Sequence, residues 1–174
     1  MRKIISAVLA CLLMCAAVTA LAEYKVNIEG LQAIQQQDDF GVRITSIRVS
    51  PGVDGNDFVH FTILNDTDHM VRTVRVFFLM YNEAHHQLLP DGRFDYPLKE
   101  FAPLAFTQRN VAIPAHATWD TGFYGNADSL AGVQAIVASY TINEGDSGPV
   151  VIANPNADVW FDAAYVAEVP ADAE

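Results

Sequence analysis

The chain holds 174 residues, with 10 Lys and Arg against 21 Asp and Glu and a formal charge of −11. That length suits one domain with a full hydrophobic core. The acidity argues against nucleic-acid binding, which needs a basic face, and against electrostatic docking on anionic lipid. Apolar residues make up 51% of the chain, too many for a disordered acidic segment.

At the N-terminus, Met1-Arg2-Lys3 precedes fifteen uncharged residues, Ile4 to Val18, among which only Ser6 is polar. Ala20-Leu21-Ala22 follows, then Glu23. A basic end, an apolar core and Ala-x-Ala together predict a cleavable signal peptide over residues 1–22. The apolar run is short for a membrane anchor, which needs about 20 residues. Both cysteines, Cys11 and Cys15, fall inside this segment. Met14 is too large to precede a lipoprotein cysteine at position 15, and Cys11 leaves too short an apolar core. Cleavage after Ala22 removes Arg2, Lys3 and every cysteine, taking the charge from −11 to −13 over 152 residues. Disulfides, thiolate metal sites and a cysteine nucleophile are thereby excluded from the exported chain.

Short β-rich runs then alternate with turn clusters, the pattern of an all-β sandwich or barrel. Helical periodicity is scarce, with one or two turns expected within Gly30 to Gln37 and a short cap at Asp128 to Ala131. Residues 42–49 read as a strand ending at Ser50-Pro51-Gly52. After Asp54-Gly55-Asn56-Asp57, residues 59–64 alternate and stop at the turn Asn65-Asp66-Thr67-Asp68, where Asn and Asp side chains bond their own backbone. Residues 71–81 make the strongest strand. Val74, Val76, Phe78 and Met80 share one face, which Arg72 interrupts, and Phe77, Leu79 and Tyr81 on the other face predict cover on both sides. Further strands are expected at 107–113, 118–124, 132–142 and 149–153, the last leading toward Asp158 to Phe161. Trp119, Phe123 and Tyr124 are expected inside. The irregular stretch from Asn82 to Phe106, with Pro90, Pro97 and Pro103, is long for a compact domain, so it hides a strand or carries a function.

Phe78-Leu79-Met80-Tyr81-Asn82 resembles the Phe-x-Leu-Tyr-Asp signature of bacterial FxLYD-type domains, with Met for Leu and Asn for Asp. The flanking order is similar: Asn65-Asp66-Thr67 before that strand, Ile113-Pro114-Ala115-His116-Ala117 as a proline turn, a late strand at 132–142, an acidic Gly turn at 144–148, and Trp160. Where the family has a Gly turn after its signature, Glu83-Ala84-His85-His86 stands here. The resemblance covers roughly residues 40–162. It implies an immunoglobulin-like antiparallel β-sandwich of about seven strands in an exported protein without established catalysis. It carries over only the core positions Phe78, Met80, Tyr81 and Asn82.

Candidate chemistry is sparse. Gly145-Asp146-Ser147-Gly148-Pro149 resembles the nucleophile segment of trypsin-like proteases with one Gly missing. Ser147 would need a His oriented by an Asp, yet His86 is only 61 residues upstream, too little chain for two barrels; a turn joining two strands suits the composition better. His85 and His86 could share a metal with His69 or His116, but no His-x-His or His-x3-His spacing supports this. The Asp54–Asp57 and Asp66–Asp68 clusters lack the spacing of a calcium loop. No pair among the 21 acids stands out for glycoside hydrolysis. Arg93, Phe94 and Tyr96 form the expected interaction patch, since Arg and Tyr are frequent at recognition sites.

The resulting expectation is a signal peptide (1–22), an N-terminal extension (23–39), a β-sandwich domain (40–162) and an acidic tail (163–174). It is exported by the general secretory route to the periplasm or exterior and has no catalytic residue, metal or cofactor. It is a binding module for a protein or glycan ligand, with a Ser147 hydrolase and a structural envelope domain as alternatives. No span crosses the membrane after cleavage, and no motif speaks for an oligomer.

Overall fold

Apolar side chains at every second position build most of this protein. The computed structural model describes residues 23–52, 55–89, 94–95, 104–125, 129–143 and 148–168, so the 1–22 segment lies outside it. In chain order the elements are β1 (Glu23–Val26), α1 (Ile28–Gln37), β2 (Val42–Ser50), β3 (Phe58–Asn65), β4 (Val71–Tyr81), β5 (Gln87–Leu88), β6 (Phe94–Asp95), β7 (Leu104–Ile113), β8 (Ala117–Tyr124), β9 (Gly132–Asn143), β10 (Pro149–Ala153), α2 (Asn156–Asp162) and β11 (Tyr165–Glu168). The protein is all-β in character, with antiparallel pairing throughout. No described helix is long and apolar enough to cross a membrane.

Two sheets share the main core. The smaller has the order β2-β3-β8; the larger runs β10-β9-β4, with β7 and then β5-β6 on the far side of β4. β3 alternates buried and half-buried residues along its length, so Val59, Phe61 and Ile63 meet Val74, Val76, Phe78 and Met80 of β4 and Val133, Ala135 and Val137 of β9. Phe123 of β8 ties the sheets together: its ring centroid lies 4.7 Å from Phe78, 5.7 Å from Phe61 and 5.8 Å from Phe106. Trp119 also packs on this core, but Tyr124, expected inside, is 55% exposed. It follows Phe123 by one residue and so points to the opposite face, where it stacks edge-on against Phe58.

Arg72 does not break the inner face of β4. The register shifts between Val71 and Thr73 against both β7 and β9. Against β9 the bulge adds one residue to β4, whereas against β7 the extra residues lie on β7; Val71 and Val74 are both buried while Arg72 is exposed. The expected double cover of the second half of β4 is present. Phe77, Leu79 and Tyr81 join Ile136 in a second core with Val26, Leu31, Trp160 and Ala164.

That second core is built by the two ends of the described chain. β1 pairs with β11, Val26 opposite Tyr165, and α1 and α2 flank this ribbon. α1 forms because Asn27 caps it, accepting a hydrogen bond from Gly30 N at 3.1 Å, and because Ile28, Leu31 and Ile34 recur at helical spacing. The same Asn27 donates to Ala163 O at 2.9 Å, fastening the helix to the C-terminal segment. At the other end of α1, buried Asp38 accepts from Asn154 Nδ2 at 3.1 Å and Asn156 Nδ2 at 3.0 Å, while Asn154 Nδ2 also donates to Val137 O at 2.9 Å. Residues 156–162, to which the sequence pattern assigns no secondary structure, form α2 and bury Trp160 completely.

Candidate ligand-binding cleft

Residues 78–82 divide between two jobs. Phe78 and Met80 are 6% and 5% exposed in the main core. Tyr81 points to the other face, and Asn82 shapes the turn after β4. Asn82 Oδ1 accepts from Ala84 N and His86 N at 3.0 Å each, and its backbone N donates to His86 O at 3.1 Å. His85 takes φ 61° there, the left-handed conformation a glycine adopts most easily. The turn after β4 is thus closed by Asn82 and a left-handed His85.

Tyr81 sits opposite Gly132 in the β4–β9 ladder. A side chain at 132 would collide with the ring, since a Cβ there would meet Tyr81 Oη at 2.5 Å; the glycine makes room for the phenol. Gln134, two residues on and on the same face, donates from Nε2 to Tyr81 Oη at 3.2 Å. Both side chains are more than nine-tenths buried, Tyr81 at 8% and Gln134 at 4% exposure. Among the described residues the phenol proton and Gln134 Oε1 have no hydrogen-bond partner.

These two groups open into a cleft of ≈ 390 Å³, within the range of about 300–1,000 Å³ common for small-ligand sites. Gln32 and Gln35 of α1 form one wall, Thr45, Ser46, Ile47 and Val49 of β2 the other, and Ala131 to Gln134 the floor beside Tyr81. A second irregularity helps make it: the β2–β3 register shifts between Ile44 and Ser46, turning the edge of β2. Three carboxamides and three hydroxyls therefore line a space with no charged side chain. Such a lining exchanges hydrogen bonds with an uncharged polar molecule. Apart from the Tyr81 phenol, it holds no titratable group among the described residues to move a proton.

The sequence-selected residues fall elsewhere. Arg93, Tyr96 and Ser147 lie outside the described residues, and Phe94 is placed by its backbone only, in β6 opposite Leu88. β9 and β10 form a hairpin with Asn143 opposite Pro149, and Gly148 has φ 82°. His69 and His116 stand beyond the Val71 end of β4, and His85 and His86 beyond its Tyr81 end. At about 3.3 Å per residue the strand separates them by roughly 30 Å, so they cannot share one ion. No group of three or more His, Cys, Asp or Glu among the described residues could hold a metal. Asp66 pairs with Arg43 at 3.1 Å, and Asp68 lies 2.9 Å from His116 Nε2. Asp57 accepts from Leu130 N at 2.9 Å. A serine and histidine do meet at Ser50 Oγ and His60 Nε2, 3.0 Å apart, but no carboxylate orients that ring among the described residues, as a nucleophile's base requires.

Sequence reasoning passed over Gln134, Gln32 and Gln35 because isolated glutamines carry no motif. The one available signal was Gln134 itself, a polar residue inside the apolar run Val133 to Val137. No family model, curated protein or solved structure matches the chain.

Proposed function

We propose that this protein is an exported, non-enzymatic binding module with an immunoglobulin-like fold of the FxLYD type, and that the Tyr81–Gln134 cleft takes its ligand. The observation that carries the reading is the hydrogen-bonded Tyr81–Gln134 pair in the lining of a cleft that holds three carboxamides, three hydroxyls and no charged side chain. A bound polar molecule would accept from the phenol or donate to the carboxamide oxygen, each such bond being worth about 0.5–1.5 kcal/mol net.

The strand order supports the fold reading. β2-β3-β8 against β10-β9-β4-β7 follows the arrangement of an immunoglobulin-like sandwich, in which the third, sixth and seventh strands form one sheet and the first, second and fifth contribute to the other. Two of the positions shared with FxLYD-type domains also meet in space, Asn65 bonding the carbonyls of Ile113 and Pro114. The Met1 to Ala22 pattern supports export to the periplasm or exterior.

Amide-resolved NMR against a library of uncharged polar fragments tests the binding reading. Shifts are expected at Ala131 to Gln134 and Thr45 to Ile47, and Tyr81→Phe with Gln134→Leu abolishes them. Shifts that persist in this variant, or none at these residues, overturn it. Fluorophosphonate labelling that disappears in Ser147→Ala or Ser50→Ala would overturn the non-enzymatic part.

A further inference from the structure

The terminal ribbon and helices cover only half of the outer face of the large sheet. The other half is open, and it collects arginines. The bulge turns Arg72 outward, and Arg75 and Arg109 follow on the same side: Arg75 stands opposite Thr107, and Arg109 opposite Thr73. The two arginines are therefore diagonal neighbours, about 7–8 Å apart at the backbone. All three arginines are exposed. In a chain with 21 acidic residues against 10 basic ones, none of the three has a carboxylate partner among the described residues; the guanidinium of Arg75 lies 5.1 Å over the Phe77 ring instead. Arg43, by contrast, is paired with Asp66.

We infer that this open face, centred on Arg72, Arg75 and Arg109, is a docking surface for an acidic polysaccharide. Guanidiniums held side by side repel one another, and an anion that bridges them relieves the repulsion while forming charge-assisted hydrogen bonds. The spaces between them carry the hydroxyls of Thr73, Thr107 and Thr141 (Thr141 also stands opposite Thr73, on β9). Hydroxyls suit the neutral groups of a sugar chain. The arginines and threonines spread over the neighbouring strands β7, β4 and β9, which fits an extended polymer better than a small ion. Among the described residues this face offers no exposed aromatic platform, whereas single-stranded nucleic acid is held largely by stacking on such rings. The acids elsewhere are screened beyond about 8 Å at physiological salt, so the local arginines govern contact. This surface is separate from the Tyr81–Gln134 cleft and does not depend on it.

The test is capture of the purified protein on immobilised polygalacturonate at 0.15 M salt, about physiological ionic strength, beside neutral dextran, an oligothymidylate and phosphatidylglycerol vesicles. Polygalacturonate is expected to retain the protein and dextran not. Arg75→Gln with Arg109→Gln should weaken retention at least tenfold while the thermal midpoint stays unchanged, and Arg43→Gln should leave retention within twofold. Absence of retention, equal retention by the double variant, or tighter retention on oligothymidylate or vesicles overturns the proposal.

Discussion

The side-chain amide of Asn65 donates to Pro114 O at 2.8 Å, joining the turn after β3 to the turn before β8 across 49 positions of sequence. It also donates to Ile113 O at 3.1 Å and His69 O at 2.8 Å, and its Oδ1 accepts from Thr67 N and Thr67 Oγ. Asn65 is fully buried, and its bond to Ile113 O lies away from water while the others are partly buried. Asn65→Ala should therefore destabilise the fold by about 2–4 kcal/mol in urea titration, because three carbonyls lose a donor at once. Asn65→Asp should be no better, since a carboxylate cannot donate to carbonyls. A loss below 0.5 kcal/mol, the size of about one ordinary surface change, would contradict this role.

Trp160 holds the second core together. It is completely buried, yet its Nε1 has no hydrogen-bond partner among the described residues, so its contribution comes from packing. Trp160→Ala should cost about 3–5 kcal/mol. Hydrogen exchange should then rise first in α1, α2 and the β1–β11 ribbon while β4 and β9 stay protected. Trp160→Phe should cost much less, because it retains most of the ring and removes the unpaired N–H.

Tyr165 gives a pH dependence. Its hydroxyl donates to Gln87 Oε1 at 2.6 Å, and burial pushes the phenol well above its ordinary value. The folded state therefore holds the proton more tightly than the unfolded one. The stabilisation is fully present below the unfolded pKa near 10 and is lost as pH climbs from there. Denaturant midpoints should fall as pH rises above about 10, and Tyr165→Phe should flatten that fall while lowering stability at neutral pH, since it leaves Gln87 Oε1 without its donor.

His85 stands in left-handed backbone at φ 61°, a conformation that costs a side-chain-bearing residue about 1 kcal/mol. Its ring is exposed and touches Tyr81 only edge-on, with centroids 6.0 Å apart. His85→Gly should be neutral or stabilising by up to about 1 kcal/mol in thermal unfolding. A clear loss would mean that the ring contact outweighs the strain.

Much of this architecture was legible in sequence. The seven strands from β2 to β10, leaving aside the two-residue β5 and β6, follow β-rich runs bounded by turn residues, and the double cover on β4 could be read from Phe77, Leu79 and Tyr81. What escaped was written at longer range. β1 and β11 are four residues each and become strands only by pairing with one another. Trp160 sits in a seven-residue helix whose single buried ring leaves no periodic stripe. The bulge at Arg72 is a property of two partner strands, so the sequence of β4 alone read it as a polar interruption. The cleft draws on α1, β2, β4 and β9, and no one of them carries a recognisable motif.

Crystals soaked with uncharged polar fragments such as amides, polyols and monosaccharides test whether the Tyr81–Gln134 cleft is a binding site. A fragment is expected between Gln35, Ser46 and Gln134, accepting the phenol proton of Tyr81 or donating to Gln134 Oε1. Fragments bound only elsewhere on the protein, with this cleft left to solvent, would contradict it.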